Sequence, residues 1–248
     1  MRKIHVITQK EMVDPIRLED CTAVVIDVFL ATSTIAFLIK YNYEPIYAME
    51  DVKSARAFAA EQTEPYILIG EAKGESIEGF IYPDPTLLRP SERQIPAIIC
   101  STNGTRAIER AKEAKALYIS SLVNGHLIAQ RLHEQDDDSS IVLISSGNDN
   151  RFSMEDFVGA GQIIDHLMGK GKYLLSDSSI VARETYQHSK STSFQNLLDS
   201  ETATLLRGFN FQESMNLVIE NHEKINVLPM LSGSKIINAY SSVQSIMD

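Results

Sequence analysis

Asp27, Glu71 and Asp156 are acids placed next to apolar runs or helix starts, and Ser101-Thr102-Asn103-Gly104-Thr105-Arg106 is an unbroken stretch of hydroxyls, small residues and one guanidinium. Carboxylates are the hard oxygen ligands that magnesium takes, with waters completing its shell. A turn of small residues that opens a helix offers N–H groups without internal partners, and these favour an anion. Arg106 adds a fork for phosphate or carboxylate oxygens. Together these are the parts of a site that holds a divalent cation and an oxyanion. Each part also has a plainer reading. Asp27 is either a site carboxylate or the cap of a helix starting near Thr32, and Glu71 either a ligand or a solvated loop acid. Asn103-Gly104 is either an anion cradle or an ordinary turn with Thr105 as cap. Asp156 is either a metal ligand or the back-reaching acid of a capping box begun at Ser153, and Glu155 beside it suits the helix dipole whatever it binds.

What would bring these residues together is their position along the chain. Four apolar, strand-like runs, residues 23–29, 66–70, 97–100 and 141–145, each lead into a polar cluster, residues 27–34, 70–79, 101–106 and 145–156. In an open parallel sheet, ligands bind outside the carboxyl ends of the strands. Further strands are expected at 45–49, 116–120 and 226–231, with helices at 51–62 (capped by Asp51), 105–115, 124–134 and from Ser153 onward. Thr32, Ser33 and Thr34 are the cap candidates of the first helix, and residues 176–221 read as three or four helices. Strand and helix alternate, so the expected fold is α/β, a three-layer α/β/α arrangement around a mostly parallel sheet. Residues 71–96 lack periodicity and read as a functional loop or crossover. No linker divides residues 1–248, which are taken as one unit.

Composition narrows the function classes. The 248 residues are 44% hydrophobic, enough for a large core, and the formal charge of -10 argues against a nucleic-acid partner. The one dense charge run, residues 136–138, is acidic and reads as a solvated turn. Cys21 and Cys100 are too few for a disulfide framework, the start MRKIHVITQK lacks the apolar stretch of a leader, and no apolar run could span a bilayer. The expectation is a cytoplasmic protein without a membrane partner. GxGxxG, the P-loop, HExxH and GxSxG are all missing, and the six histidines read as surface or helix residues.

The segments VVIDVFLATSTI (24–35), Gly70-Glu71 followed by Gly74 and Gly79-Phe80, STNGTRAI (101–108), Val123-Asn124 and RFSMEDFVGAG (151–161), in this order, resemble the 2-phosphosulfolactate phosphatases. A weaker likeness continues through residues 175–186. The resemblance implies two intertwined halves, a homodimer, and a Mg²⁺-dependent phosphoric monoester hydrolase acting on a small anionic phosphoester. It would convert 2-phosphosulfolactate to sulfolactate and phosphate, a step of coenzyme M biosynthesis in some organisms. Asp27, Glu71 and Asp156 would then be the catalytic and metal residues, and Ser101 to Arg106 the substrate-binding ones. Either Asp27 forms an aspartyl-phosphate or a metal-bound water attacks directly. Two departures stand out: Leu30 replaces a usual Arg, and GFIYPDPT (79–86) replaces a GFDxGNSP-like loop. Affinity for a doubly anionic substrate should fall unless Arg89, Arg106 or Arg151 substitutes, and Asp84 is the candidate to replace the lost acid. The alternative is a weakly active or inactive relative that binds a small anion.

Overall fold

The computed structural model describes residues 1–135 and 137–240. Its sheet combines two parallel runs. One holds β1 (Lys3–Ile7), β2 (Thr22–Ile26), β7 (Ala116–Ser120), β8 (Ile141–Ser145) and β9 (Leu174–Leu175), in the spatial order β7-β2-β8-β1-β9. The other holds β3 (Ile46–Met49), β4 (Ile67–Ala72) and β6 (Ala97–Cys100), ordered β4-β6-β3, with the short β5 (Glu75–Ser76) antiparallel on its edge. Between the runs lies a C-terminal hairpin, β10 (Pro229–Ser232) and β11 (Lys235–Asn238), antiparallel to β7 on one side and to β3 on the other.

Every residue of β2 and β8 is buried, as expected of apolar strands covered on both faces. The helices α1 (Ala31–Lys40) and α3 (Gly104–Ala111) each carry the chain from one run to the other: α1 joins β2 to β3, and α3 joins β6 to β7. Around them are α2 (Val52–Ala60), packed on β4 and β6, α4 (Gly125–Glu134), α5 (Met154–Lys170) on β8, and α6 (Asp177–Ser191) on α5 and β1. The three-layer α/β/α arrangement is therefore present. Successive α7 (Gln195–Leu198), α8 (Glu201–Gly208) and α9 (Gln212–Glu220) complete the four helices of the C-terminal third.

Three antiparallel steps separate the runs, so their strands point in opposite senses within the sheet. Strand twist of about 20–25° per step accumulates to on the order of 100° over the five steps from β6 to β2. The carboxyl ends of both runs meet at one place, where a Cβ on Gly104, after β6, would stand 2.8 Å from Asp27 Oδ2, after β2.

Several local expectations change. The N-cap of α1 is Leu30, and Thr32, Ser33 and Thr34 lie inside the first turn. Their hydroxyls reach the carbonyls of Ser120 (2.6 Å), Val28 (2.8 Å) and Pro83 (2.8 Å). These residues thus join the helix to the ends of β2 and β7 and to the loop at Pro83. The hairpin was expected as one strand over 226–231; its second half closes through Gly233, at φ +60°. Asp51 caps α2 as expected, accepting from Ser54 N at 2.7 Å. Within the acidic run, Asp136 lies outside the described residues, while Asp137 accepts from Ser139 N (2.8 Å) and pairs with Lys115 (2.9 Å).

Candidate active site

A cleft of about 300 Å³ opens where β2, β4, β6 and β8 end. It is lined by Asp27, Glu71, Ser101, Thr102, Asn103 and Asp156, so six of the nine residues singled out from the sequence share one cavity. Residue 27 follows β2 directly, and Gly104, first residue of α3, lies against it: a Cβ on Gly104 would stand 2.8 Å from Asp27 Oδ2 and 2.7 Å from Ala31 Cβ. Only glycine permits that approach of the two runs. Helices α1 and α3 both start here, and the N–H groups of Asn103 and Gly104 have no acceptor among the described residues. Two helix N-termini converging on one cavity favour an anion between them.

Asp27 is 7% exposed, and its Oδ1 accepts only a long bond, 3.4 Å, from Ala31 N. Burial pushes its carboxyl up to about 7; the charges of Glu155 and Glu71 push the same way, while the Ala31 N–H and Lys10 oppose them. Asp156 bridges two strand ends, accepting from Val28 N at 2.8 Å and Gly147 N at 3.1 Å. It does not reach back to Ser153, so no capping box forms, and the Ser153 hydroxyl is buried without a partner among the described residues. Burial first, then the Asp27 and Glu155 charges, hold Asp156 well above the usual carboxylate range. Glu71 is held differently. Its carboxylate accepts from Thr102 N, from Thr102 Oγ1 at 2.8 Å and from Gly74 N at 2.7 Å, which ties β4 to the turn after β6.

The remaining turn residues divide. Ser101 Oγ accepts from Thr105 N at 3.0 Å, and Thr105 Oγ1 accepts from Ser101 N at 2.9 Å, a reciprocal clasp that shapes the turn. Asn103 Oδ1 is occupied by Lys10 Nζ at 2.8 Å. Arg106 points elsewhere: its Nε donates to Glu50 O at 3.4 Å, and it lines a neighbouring hollow instead of the cleft. Asp84 accepts from Thr86 N and Thr86 Oγ1, both at 2.8 Å, which ties it to its own turn.

Lys10 and Lys73 escaped the sequence reading, which named Glu155 only as an acid suited to the helix dipole and Arg151 only as a substitute base. Lys10 is 4% exposed and binds Asn103, Ser146 O (3.4 Å) and Glu11 (2.8 Å). It follows β1, so the rule that pointed to the other strand ends would also have found it. Glu155 is buried, its carboxyl raised above all by burial, and its Oε2 has no partner among the described residues. Lys73 and Arg151 line the cleft; Arg151 is 64% exposed and 3.6 Å from the still more open Glu201. Five acids, the three above with Asp149 and Glu155, thus face two bases. Among the described residues no three His, Cys, Asp or Glu side chains form a ready-made metal cage. A magnesium ion needs less, since it commonly takes one or two carboxylates and keeps its waters. The weakly bonded Asp27 carboxylate, in an acid-rich cavity short of positive charge, fits such an ion.

A family model described as 2-phosphosulpholactate phosphatase matches residues 7–234, which include every element of this cleft. The chain belongs to that family. Among its relatives, a probable 2-phosphosulfolactate phosphatase of Clostridium novyi is 32% identical over 190 residues, 76% of this chain and 80% of that protein. One from Carboxydothermus hydrogenoformans is 32% identical over 217 residues, 86% of each chain. Another from Clostridium botulinum is 27% identical over 239 residues, 95% of this chain and 99% of the relative. The family is one of phosphoric monoester hydrolases, and the cleft's buried acids beside two helix starts suit that reaction class. No helix among the described residues is long and apolar enough to cross a membrane.

Proposed function

We propose that this protein hydrolyses the phosphate monoester of a small 2-hydroxy acid with the help of Mg²⁺. The substrate named for its relatives, 2-phosphosulfolactate, is the reference compound of that class. One observation carries the reading: Asp27 of one parallel run and Asn103 of the other, whose N–H has no acceptor among the described residues, line the same cavity, with Gly104 packed against Asp27.

The phosphoryl group sits between Asp27 and the start of α3, where the unpartnered N–H groups stabilise charge growing on its oxygens. The two helix starts act in fixed positions, so no dipole must reorient as the P–O bond breaks. Glu71 positions the turn through Thr102, and Asp156 ties the backbone just after Asp27 to the neighbouring end of β8. Mg²⁺, held by Asp27 with Glu71 and Asp156 close by, would supply neutralising charge at the transferring oxygens. Asp27 acts on phosphorus directly or by directing a water, and a phosphate label retained on acid-quenched protein distinguishes the two. A homodimer also belongs to the proposal, and light scattering tests it.

The deciding experiment is phosphate release from 2-phospholactate and 2-phosphosulfolactate with Mg²⁺. Wild-type turnover that falls at least about 10³-fold in Asp27→Asn is expected, the scale of losing a central catalytic group. Calorimetric binding of sulfolactate without turnover of any ester would replace the enzyme by an anion-binding protein.

A further inference from the structure

The lining of the cleft is part polar and part apolar. Beside the acids and the α3 turn it includes Phe29, Leu30, Tyr82, Pro83, Leu205 and Leu206, which form its apolar wall. Leu30 occupies the N-cap position of α1, three residues beyond Asp27, and is 6% exposed. Leu205 and Leu206 come from α8, so the C-terminal helices close the cavity with aliphatic groups. Leu205 remains 48% exposed, a large aliphatic side chain at the rim of a polar cleft. Tyr82 is fixed in the wall by stacking on Phe211 at 4.4 Å and by donating to Gly74 O at 3.3 Å.

Resting on the phosphatase reading, we infer that the group at C3 of the 2-hydroxy acid is apolar, an alkyl or aryl side chain seated against this wall. The phosphate faces Asp27 and the α3 turn. The carboxylate is left to Lys73 and Arg151, the only two bases among the described lining residues. A sulfonate in the same place would meet carbon atoms, with no third base in the cleft to pair it, and would lose water without regaining a partner. Arg106, the nearest other candidate, is turned to Glu50 O outside the cavity. An apolar side chain instead gains contact with surfaces already assembled. In such pockets, one methylene changes kcat/KM by about 10–200-fold.

The test compares three phosphate esters that differ only at C3: hydrogen on that carbon (2-phospholactate), an isopropyl substituent (the ester of 2-hydroxy-4-methylpentanoate), and a sulfonate (2-phosphosulfolactate). Wild-type kcat/KM should be at least about tenfold higher for the isopropyl compound than for the sulfonate. Leu30→Arg, and independently the rim variant Leu205→Arg, should shrink or invert that ratio. A wild-type preference for the sulfonate, or a ratio that neither variant moves, overturns the inference. If no ester releases phosphate, the phosphatase reading fails by itself. Calorimetry with the three corresponding non-hydrolysable phosphonates then still decides the wall: tightest binding of the isopropyl compound supports it, and equal or weaker binding refutes it.

Discussion

Asp27→Asn should kill activity and, in the absence of divalent cations, stabilise the protein. The Asp27 carboxyl, raised from 3.8 to about 7, holds a proton in the folded chain that the unfolded chain has already lost. Below about pH 3.8 both states are protonated and the group costs nothing; as pH rises from there to 7, the folded state is progressively disfavoured. The difference, 7 − 3.8 = 3.2, corresponds to about 4 kcal/mol when complete. Because the charges of Glu155 and Glu71 contribute to the shift and relax when Asp27 is neutral, about 2 kcal/mol of it is expected in the variant. At about 2–4 °C per kcal/mol for a chain of this size, Asp27→Asn with EDTA at pH 8 should melt about 4–8 °C above wild type. The gap should close on acidification toward pH 4. Millimolar Mg²⁺ should raise the wild-type melting temperature and leave the variant's unchanged. A variant that melts at or below wild type at pH 8 in EDTA would refute the claim that Asp27 is a carboxylate held at a cost for its site.

Three further perturbations test other parts of the structure. Gly104→Ala places a methyl 2.7 Å from Ala31 Cβ and 2.8 Å from Asp27 Oδ2, so steady-state assays should show at least about a 10²-fold loss and denaturant unfolding a cost of about 1–3 kcal/mol. Lys10→Met removes the shorter of the two bonds to Asn103 Oδ1, leaving that from Asp149 N at 3.3 Å, and should raise KM about tenfold with a smaller change in kcat, and Lys10→Arg should recover part of it; equal effects of both variants on kcat alone would exclude a role in holding the turn. Remote from the cleft, Glu223 Oε1 accepts from Tyr186 (3.1 Å) and lies 2.6 Å from His166 and 3.3 Å from His222. Burial lowers the His222 pKa from 6.5 to about 4, so the unfolded chain takes up its proton first as pH falls from 6.5 to 4. Over that window stability should drop by about 1–2 kcal/mol after screening, and His222→Gln should flatten the decline in pH-dependent chemical denaturation.

The alternation of apolar runs with helical segments was enough to identify the sheet and the strands at 97–100, 116–120 and 141–145, because strands covered on both faces are predominantly apolar. It also located all four of the polar ends that line the cleft, at Asp27, Glu71, Ser101 to Asn103, and Gly147 to Asp156. Caps were less legible: Ser153 and Asp156 spell a capping box, yet Asp156 bonds Val28 and Gly147 across the sheet. Local patterns describe what a segment prefers alone, and a buried backbone donor elsewhere can outbid that preference.

The order of residues along the chain determined that this is an α/β protein with acidic and anion-favouring strand ends, since periodicity and turn chemistry are local properties. Only the tertiary structure decided which ends meet. In it two oppositely directed parallel runs come together at Gly104 and Asp27, Lys10 bonds the turn after β6, Arg106 is turned away, and Leu205 and Leu206 join the acids in lining the cleft. Those relations depend on distances between residues far apart in sequence, and burial then changes their chemistry: the same Asp27 side chain that would titrate near 3.8 in water reaches about 7 once the sheet closes around it.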